Sequence, residues 1–371
     1  MARRVTPPFR ADHVGSLLRP AALHAARADF AAGKITAGDL RAAEDRAIAE
    51  AVELQEGAGL QAATDGEFRR EQWHSDFVYS LGGVERGALS PVAIPVYRKD
   101  GQLSWQPHAT AITGKVHLAE PVFGEHFRFL ARTVTTATPK LTIPSPSMVH
   151  FRADLSASPY TDDDEFRADV AATYAAEVAE LYALGCRYLQ LDDTLFAFLN
   201  DPAWRANAAA SGSVDPDRQH ETNVRVINDV LAGKPADMAV TVHMCRGNYQ
   251  SAWFSSGGYD FVAEAVFGGL NVDGLFLEYD DERSGTFEPL RFVRDDQVVV
   301  LGLVTSKTPE LEPKDTLKRR VEEAAKYVDI DRLCLSPQCG FASTVEGNAL
   351  TIEQERAKLE LVVQAAEEIW G

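Results

Sequence analysis

Ala239 to Asn248 reads AVTVHMCRGN, a short apolar and β-branched run that turns abruptly polar. The run suits a buried parallel strand. His243 and Cys245 stand two positions apart, so they share one side of an extended chain. An imidazole nitrogen and a sulfur are then offered to one small ion. Zinc takes such ligands but needs more than two. The chain's other cysteines are Cys186, Cys334 and Cys339. So few in a long chain indicate reduced thiols in a cytoplasm and not a disulfide framework.

The elements that must position these groups follow from the apolar pattern. Strands are expected at Phe9–Leu18, Ala62–Thr64, Leu141–Ile143, Tyr188–Leu191, from Ala239, Gly274–Leu277, Val298–Val304 and Leu333–Leu335. Helices are expected at 37–56, 163–184, 221–231, 261–267, 316–327 and 352–369. From Ala93 to Leu118 residues alternate about Lys99-Asp100-Gly101, which signals a β-hairpin excursion and not a separate domain. Eight short strands that mostly alternate with helices favour a (β/α)8 TIM barrel spanning residues 1–371 as a single domain. A doubly wound sheet is the runner-up, disfavoured because no Gly-rich nucleotide fingerprint follows the first strand.

In a barrel, chemistry sits on the loops after the strands' C-terminal ends. Ser16, Glu67, Asp192, His243, Cys245, Glu278 and Cys339 all fall there. Cys186 instead enters a strand and Cys334 lies within one, so both read as packing. Glu278 ends the sixth strand and is either a further ligand or the first residue of a solvated acidic loop with Asp280, Asp281 and Glu282. His13 and His74 are other conceivable ligands, although a lone His is more often a hydrogen-bonded structural group.

Two thiolates and a carboxylate make an electron-rich zinc site, a weaker Lewis acid than an all-histidine one. Such a site suits holding an incoming thiol ionised near neutral pH, since metal coordination depresses a thiol's pKa. Thiol alkylation is a more natural reading than metal-assisted hydrolysis. Asp192 and Glu67 could then hold an ammonium, and Ser16 with nearby backbone amides a carboxylate. Equally, Asp192-Asp193 and Glu67 could cap helices or pair with Arg69 and Arg70.

The whole-chain balance narrows the partners. The formal net charge is −18, which disfavours nucleic acid and an anionic membrane surface. Met1-Ala2-Arg3-Arg4 leads into Pro7-Pro8 with no secretory pattern, and no apolar run of about 18 residues occurs. A cytoplasmic protein acting on small molecules is expected.

The motifs His243-Met244-Cys245, Leu277-Glu278, Ser336-Pro337-Gln338-Cys339-Gly340, Gly15-Ser16, Asp65-Gly66-Glu67 and Gln190-Leu191-Asp192 carry a family likeness. The chain resembles the catalytic C-terminal half of cobalamin-independent methionine synthases, and more closely their stand-alone, single-domain members. The resemblance implies Zn2+ on His243, Cys245, Glu278 and Cys339, with homocysteine contacts at Ser16, Glu67 and Asp192. It implies methyl transfer to the homocysteine thiol from 5-methyltetrahydrofolate, its polyglutamate or another methyl carrier.

Three departures lie on the donor side. The family's long N-terminal half has no room here. The segment after the third strand reads Ser147-Met148-Val149-His150-Phe151 where the synthases carry a Trp. Thr305 or Ser306 replaces a histidine near the end of the seventh strand. Two other readings remain: alkyl transfer to another thiol, as in epoxyalkane–coenzyme M transferases, and a non-catalytic zinc or thiol-binding protein. Two carboxylates near the thiol would repel a sulfonate, and a non-catalytic site would close four protein ligands around its metal.

Overall fold

The computed structural model describes residues 4–89, 94–98, 101–211 and 215–371. Eight parallel segments follow one another around a (β/α)8 barrel, as the pattern of apolar runs predicts. They are β1 at Ala11, β2 (Ala62–Ala63), β3 (Leu141–Pro144), β4 (Tyr188–Asp193), β5 (Ala239–Met244), β6 (Gly274–Glu278), β7 (Val298–Val304) and β8 (Leu333–Pro337). From β3 to β8 they form one parallel ladder in chain order. Every residue of β3, β4, β6, β7 and β8 is buried, so their sequences are mainly apolar and their polar members, Thr142, Gln190, Asp192, Asp193, Glu278 and Ser336, are buried with them.

The ring closes through β1 and β2 by fewer bonds. The Asp12 N–H donates to the Leu335 carbonyl at 3.0 Å, and the Leu335 N–H to the Arg10 carbonyl at 2.8 Å. Thr138–Pro139, just before β3, pairs in parallel with β2. Between β1 and β2, Leu17 N–H donates to the Gly66 carbonyl at 3.1 Å, and Thr64 Oγ1 to the Gly15 carbonyl at 2.6 Å. The strand expected over Phe9–Leu18 is thus a single bridge. Asp12 turns the chain by accepting the Phe9 and His13 N–H groups, and Gly15 takes a φ of 140°.

Apolar burial forms two layers. A large cluster lies between the strands and the surrounding helices and includes Cys186. A smaller one, with Phe9, Val14, Tyr188, Phe276, Val300 and Cys334, fills the barrel itself. Capping boxes start the helices Ala37–Gly57, at Thr36 and Asp39, and Ile352–Trp370, at Thr351 and Gln354. Helices at Ala21–Ala31, Gly124–Thr133 and Pro202–Ser211 escape the sequence reading.

The excursion is antiparallel, with Gly82–Leu89 paired to His108–His117 and an inner hairpin of Ile94–Arg98 with Gly101–Trp105. Ala93, Lys99 and Asp100, where the excursion was expected to begin and turn, lie outside the described residues. The inner hairpin docks on the loop after β5, where Tyr97 and Trp253 exchange backbone hydrogen bonds of 2.7 and 2.9 Å. No helix among the described residues is long and apolar enough to cross a membrane.

Candidate metal centre

His243 belongs to the last turn of β5's ladder, in register with Asp192 on β4. Cys245 follows one residue past the strand, and Cys339 two residues past β8. The barrel's curvature therefore brings residues 94 positions apart to one wall, with the Cys245 and Cys339 sulfurs 3.7 Å apart. One ligand atom each from His243, Cys245 and Cys339 lie within 4.8 Å of one another, and all three residues are buried.

The second ring nitrogen of His243 is already committed. Nδ1 lies 3.1 Å from Asp192 Oδ1, so the carboxylate fixes Nδ1 as a protonated nitrogen, while Nε2 lies 3.3 Å from the Gln338 carbonyl on the side of the sulfurs. Asp192 Oδ1 also accepts from Gln190 Nε2 at 2.7 Å. Burial opposes charge on His243, yet the bonds from Asp192 and Cys339 raise it to about 10. Cys339 is held well below the ordinary thiol range, first by its contact with Cys245 and then, against burial, by His243. The same contact, with burial, pushes Cys245 well up. An oriented imidazole thus stands beside two buried sulfurs, one of them pushed toward its thiolate form. This nitrogen–sulfur–sulfur set fits a soft, tetrahedral ion such as zinc.

Glu278 is not part of that group. It ends β6 fully buried, where Oε1 accepts from Arg283 at 2.7 Å and Lys307 at 3.3 Å, and Oε2 from the Arg246 N–H at 2.6 Å. Burial works against its charge, but Lys307, Arg283 and Arg246 hold it well below the usual carboxylate range. Of the solvated loop expected beyond it, Asp280 is instead buried and bound by Lys307 at 3.2 Å. His13 stands inside the barrel, its Nε2 3.3 Å from the Ala62 carbonyl, away from the sulfurs.

The centre lies on the wall of a solvent-open cleft. Ser16, Glu67 and Asp192 line the same cleft. Glu67 has a φ of 61°, an uncommon conformation for a residue with a side chain, and such strain gathers at functional sites. Its Oε1 accepts from Thr142 Oγ1 at 2.7 Å and sits 3.4 Å from Arg70, while Oε2 is buried without a partner. Burial lifts Glu67 to about 7, although Arg70 pulls the other way and Asp192 adds to the rise.

The two aspartates divide the roles that sequence left open. Asp193 caps Leu195–Leu199 through the Leu195 and Phe196 N–H groups and accepts from Ser145 and Ser147. Arg69 pairs with Glu44 and Asp45, not with Glu67.

Sequence reasoning missed the groups that grip Glu278 and the aromatic residues that line the cleft with the sulfurs. Arg246 lies within the opening motif and Lys307 within the strand-end Thr305-Ser306-Lys307, so position was a usable signal for both. Trp73 and Trp105 reach the cleft from a loop and from the excursion, and no periodicity points to them.

The family model for the catalytic domain of cobalamin-independent synthases matches residues 9–368. YxjG of Bacillus subtilis, described as an uncharacterized protein, is 48% identical over 99% of this chain and 96% of its own. The methionine synthase of Sulfurisphaera tokodaii is 24% identical, covering 88% of this chain and 84% of its own. A crystal structure of a putative vitamin-B12 independent methionine synthase from Listeria monocytogenes superposes with a TM-score of 0.78, at 40% identity and 99% coverage of both chains. A B12-independent methionine synthase from Shewanella sp. W3-18-1, solved with selenomethionine, gives a TM-score of 0.73 at 21% identity and 97% coverage of both chains.

Proposed function

The chain belongs to the cobalamin-independent synthase family, matching its catalytic domain, and from that premise we propose that it methylates the thiol of homocysteine to give methionine. The observation that carries the reading is the meeting of His243, Cys245 and Cys339 on the wall that also holds Ser16, Glu67 and Asp192. His243, Cys245 and Cys339 would hold zinc, and Glu278 is proposed as the oxygen donor that completes the set. Recruiting Glu278 then competes with Arg283 and Lys307, which now bind it. When bound, zinc supplies a positive centre that keeps a thiol ionised near neutral pH without removing its nucleophilicity.

The remaining residues position the acceptor. Glu67 Oε2, unpaired, and Asp192, through the oxygen that His243 and Gln190 do not hold, would take an ammonium, and Ser16 a carboxylate. A sulfonate in place of the amino-acid end would meet two acids, which favours homocysteine over coenzyme M. Asp192 also steadies the His243 ring, so one carboxylate serves both ligand and substrate. The same cleft is lined by Trp73, Trp105 and Phe151, and its remaining space is proposed to take 5-methyltetrahydrofolate, its polyglutamate or another methyl carrier.

Two measurements test this. Purified protein should form methionine from homocysteine with at least one donor from a panel of methylfolates, methylcobalamin and S-methyl compounds. Zinc content should approach one equivalent, fall away in Cys245→Ser and Cys339→Ser, and persist in Cys186→Ser and Cys334→Ser. No methionine with any donor would end the catalytic reading, and full zinc in both site variants would end the ligand assignment.

A further inference from the structure

Glu355 is a buried acid that neither the metal centre nor the acceptor wall uses. It lies in the first turns of the helix Ile352–Trp370, is 1% exposed, and shares one donor, the Leu18 N–H, between its two oxygens at 3.2 and 3.3 Å. Burial lifts it well above the usual carboxylate range, with the Leu18 N–H pulling the other way. Several other buried acids are better served. Asp12 meets Lys140, Glu177 divides the Val122 and Phe123 N–H groups between its oxygens, and Asp193 takes two N–H groups and two hydroxyls. The cations around Glu355 point elsewhere: Arg19 to the carbonyls of Glu67, Arg70, Ala342 and Thr344, and Lys358 to Glu310 and Glu312, while Arg356 is exposed. An ionised carboxylate at this place needs a cation that the described residues do not offer.

The acid borders a solvent-open hollow between two of the helices that surround the barrel. Leu17 and Leu18 after β1, Ala47, Ala51 and Leu54 of the helix Ala37–Gly57, and Phe68 give it apolar walls. Ala47, Ala51 and Leu54 recur at helical spacing and so share one face, on which two of the three side chains are too small to fill the space. Glu50 of the same helix also borders the hollow and is exposed, so one acid stands at the rim and another at the buried end. No basic side chain among the described residues borders it, and none of the metal or acceptor residues does.

We propose that this hollow is a second binding site, for a small aliphatic ammonium compound without a carboxylate, whose nitrogen pairs with Glu355 while its carbon chain lies against Ala47, Ala51 and Leu54. Charge and polarity together select the occupant. The apolar walls reward a hydrocarbon chain, Glu355 supplies the counter-charge, and Glu50 attracts a cation at the rim while repelling a ligand carboxylate. Amino acids such as homocysteine and methionine are thereby disfavoured, so the site is separate from the acceptor wall and independent of the methyl-transfer reading. The proton balance is distinctive. The ammonium keeps its proton, and the Glu355 carboxyl passes its own to solvent as the ion pair forms, so each binding event releases about one proton near neutral pH.

The test titrates two probes of equal size, pentylammonium and pentanol, calorimetrically into the full-length protein near neutral pH. Pentylammonium should bind at least about tenfold more tightly than pentanol. Repeating the titration in buffers of different ionisation heat should show the release of about one proton. Glu355→Gln keeps an acceptor for the Leu18 N–H and should erase both the preference and the proton release. Ala51→Leu fills the hollow and should weaken both probes, and the surface change Glu50→Gln should weaken the ammonium by up to about fivefold. Binding in the main cleft is told apart by Glu67→Gln, which should leave pentylammonium unchanged, and by methionine, which should not displace it. Equal binding of the two probes, no proton release, or an undiminished preference in Glu355→Gln would each overturn the proposal. So would loss of pentylammonium in Glu67→Gln or its displacement by methionine, since either would put the amine on the acceptor wall.

Discussion

Residue by residue, the site is built from groups that each answer to a neighbour, and Glu67 is the one whose charge is balanced near neutrality. Burial lifts its carboxyl to about 7 against the pull of Arg70. The raised value means the acid is protonated below that pH and ionised above it, and only the ionised form attracts an ammonium. Methionine has no thiol to confuse the readout, so its inhibition constant isolates this group. It should fall about tenfold from about pH 6 to about pH 8, and Glu67→Gln should weaken binding and flatten the profile. A flat profile in the parent protein, or an unchanged one in the variant, contradicts the assignment. At this scale the sequence was most legible where one strand end carries two donors, as His243 and Cys245 do. The support that Asp192 gives His243 was not legible, because it depends on the register of β4 against β5. Nor was the hold of Arg283 and Lys307 on Glu278, which joins the loops after β6 and β7.

At the scale of elements, the placement of Ser16 depends on an absent side chain. A Cβ at Gly340 would lie 1.9 Å from Ser16 Oγ and 3.1 Å from Ser16 Cβ, so the loop after β8 can approach β1 only with glycine there. The Phe341 N–H then bonds the Ser16 carbonyl at 2.9 Å, and Ser306 Oγ donates to the Gly340 carbonyl at 3.0 Å, tying β1, β7 and β8 together. Gly340→Ala should cost about 1–3 kcal/mol by overpacking and weaken methionine binding. Adding Ser16→Ala removes the nearest clash, so urea melts of the double variant should recover much of that loss while methionine stays weakly bound. Recovery of neither, or of both, would separate Gly340 from this role. The regular strands were readable because buried parallel strands are mainly apolar up to the polar residues at their C-terminal ends. β1 was not readable in length, since polar side chains there do work that a ladder does elsewhere, whereas β2 falls within one residue of its expected span. The excursion announced itself by alternation, but its docking through Tyr97 and Trp253 is a backbone contact between distant segments, which no local pattern encodes.

Over the whole molecule, the barrel's weakest seam is held from inside. β1 and β2 contribute few ladder bonds, and the fully buried Lys140 compensates along the barrel's interior. Its Nζ lies 3.2 Å from Asp12 Oδ1 and donates to the His13 carbonyl at 2.5 Å. The same ammonium sits over the Phe276 ring at 4.1 Å and the Tyr188 ring at 4.8 Å, and Tyr188 donates its hydroxyl to Asp12 Oδ2 at 2.8 Å. Gln190 Nε2 adds a bond to the Val14 carbonyl at 2.7 Å. One cation and one carboxylate thereby connect β1 with the entries to β3, β4 and β6. Removing one partner leaves the other charged in a dry interior, whereas removing both leaves polar groups that are neutral. Lys140→Met should therefore cost about 3–5 kcal/mol, and Asp12→Asn with Lys140→Met distinctly less than the two single losses added together. Chemical denaturation of the three variants measures this coupling, with zinc content read alongside. If the seam rather than the centre is what the pair maintains, the double variant should keep its metal while unfolding at lower denaturant than the parent. Additive losses would mean that Asp12 and Lys140 act independently, and the closure of this barrel would then have to be credited to its backbone bonds alone.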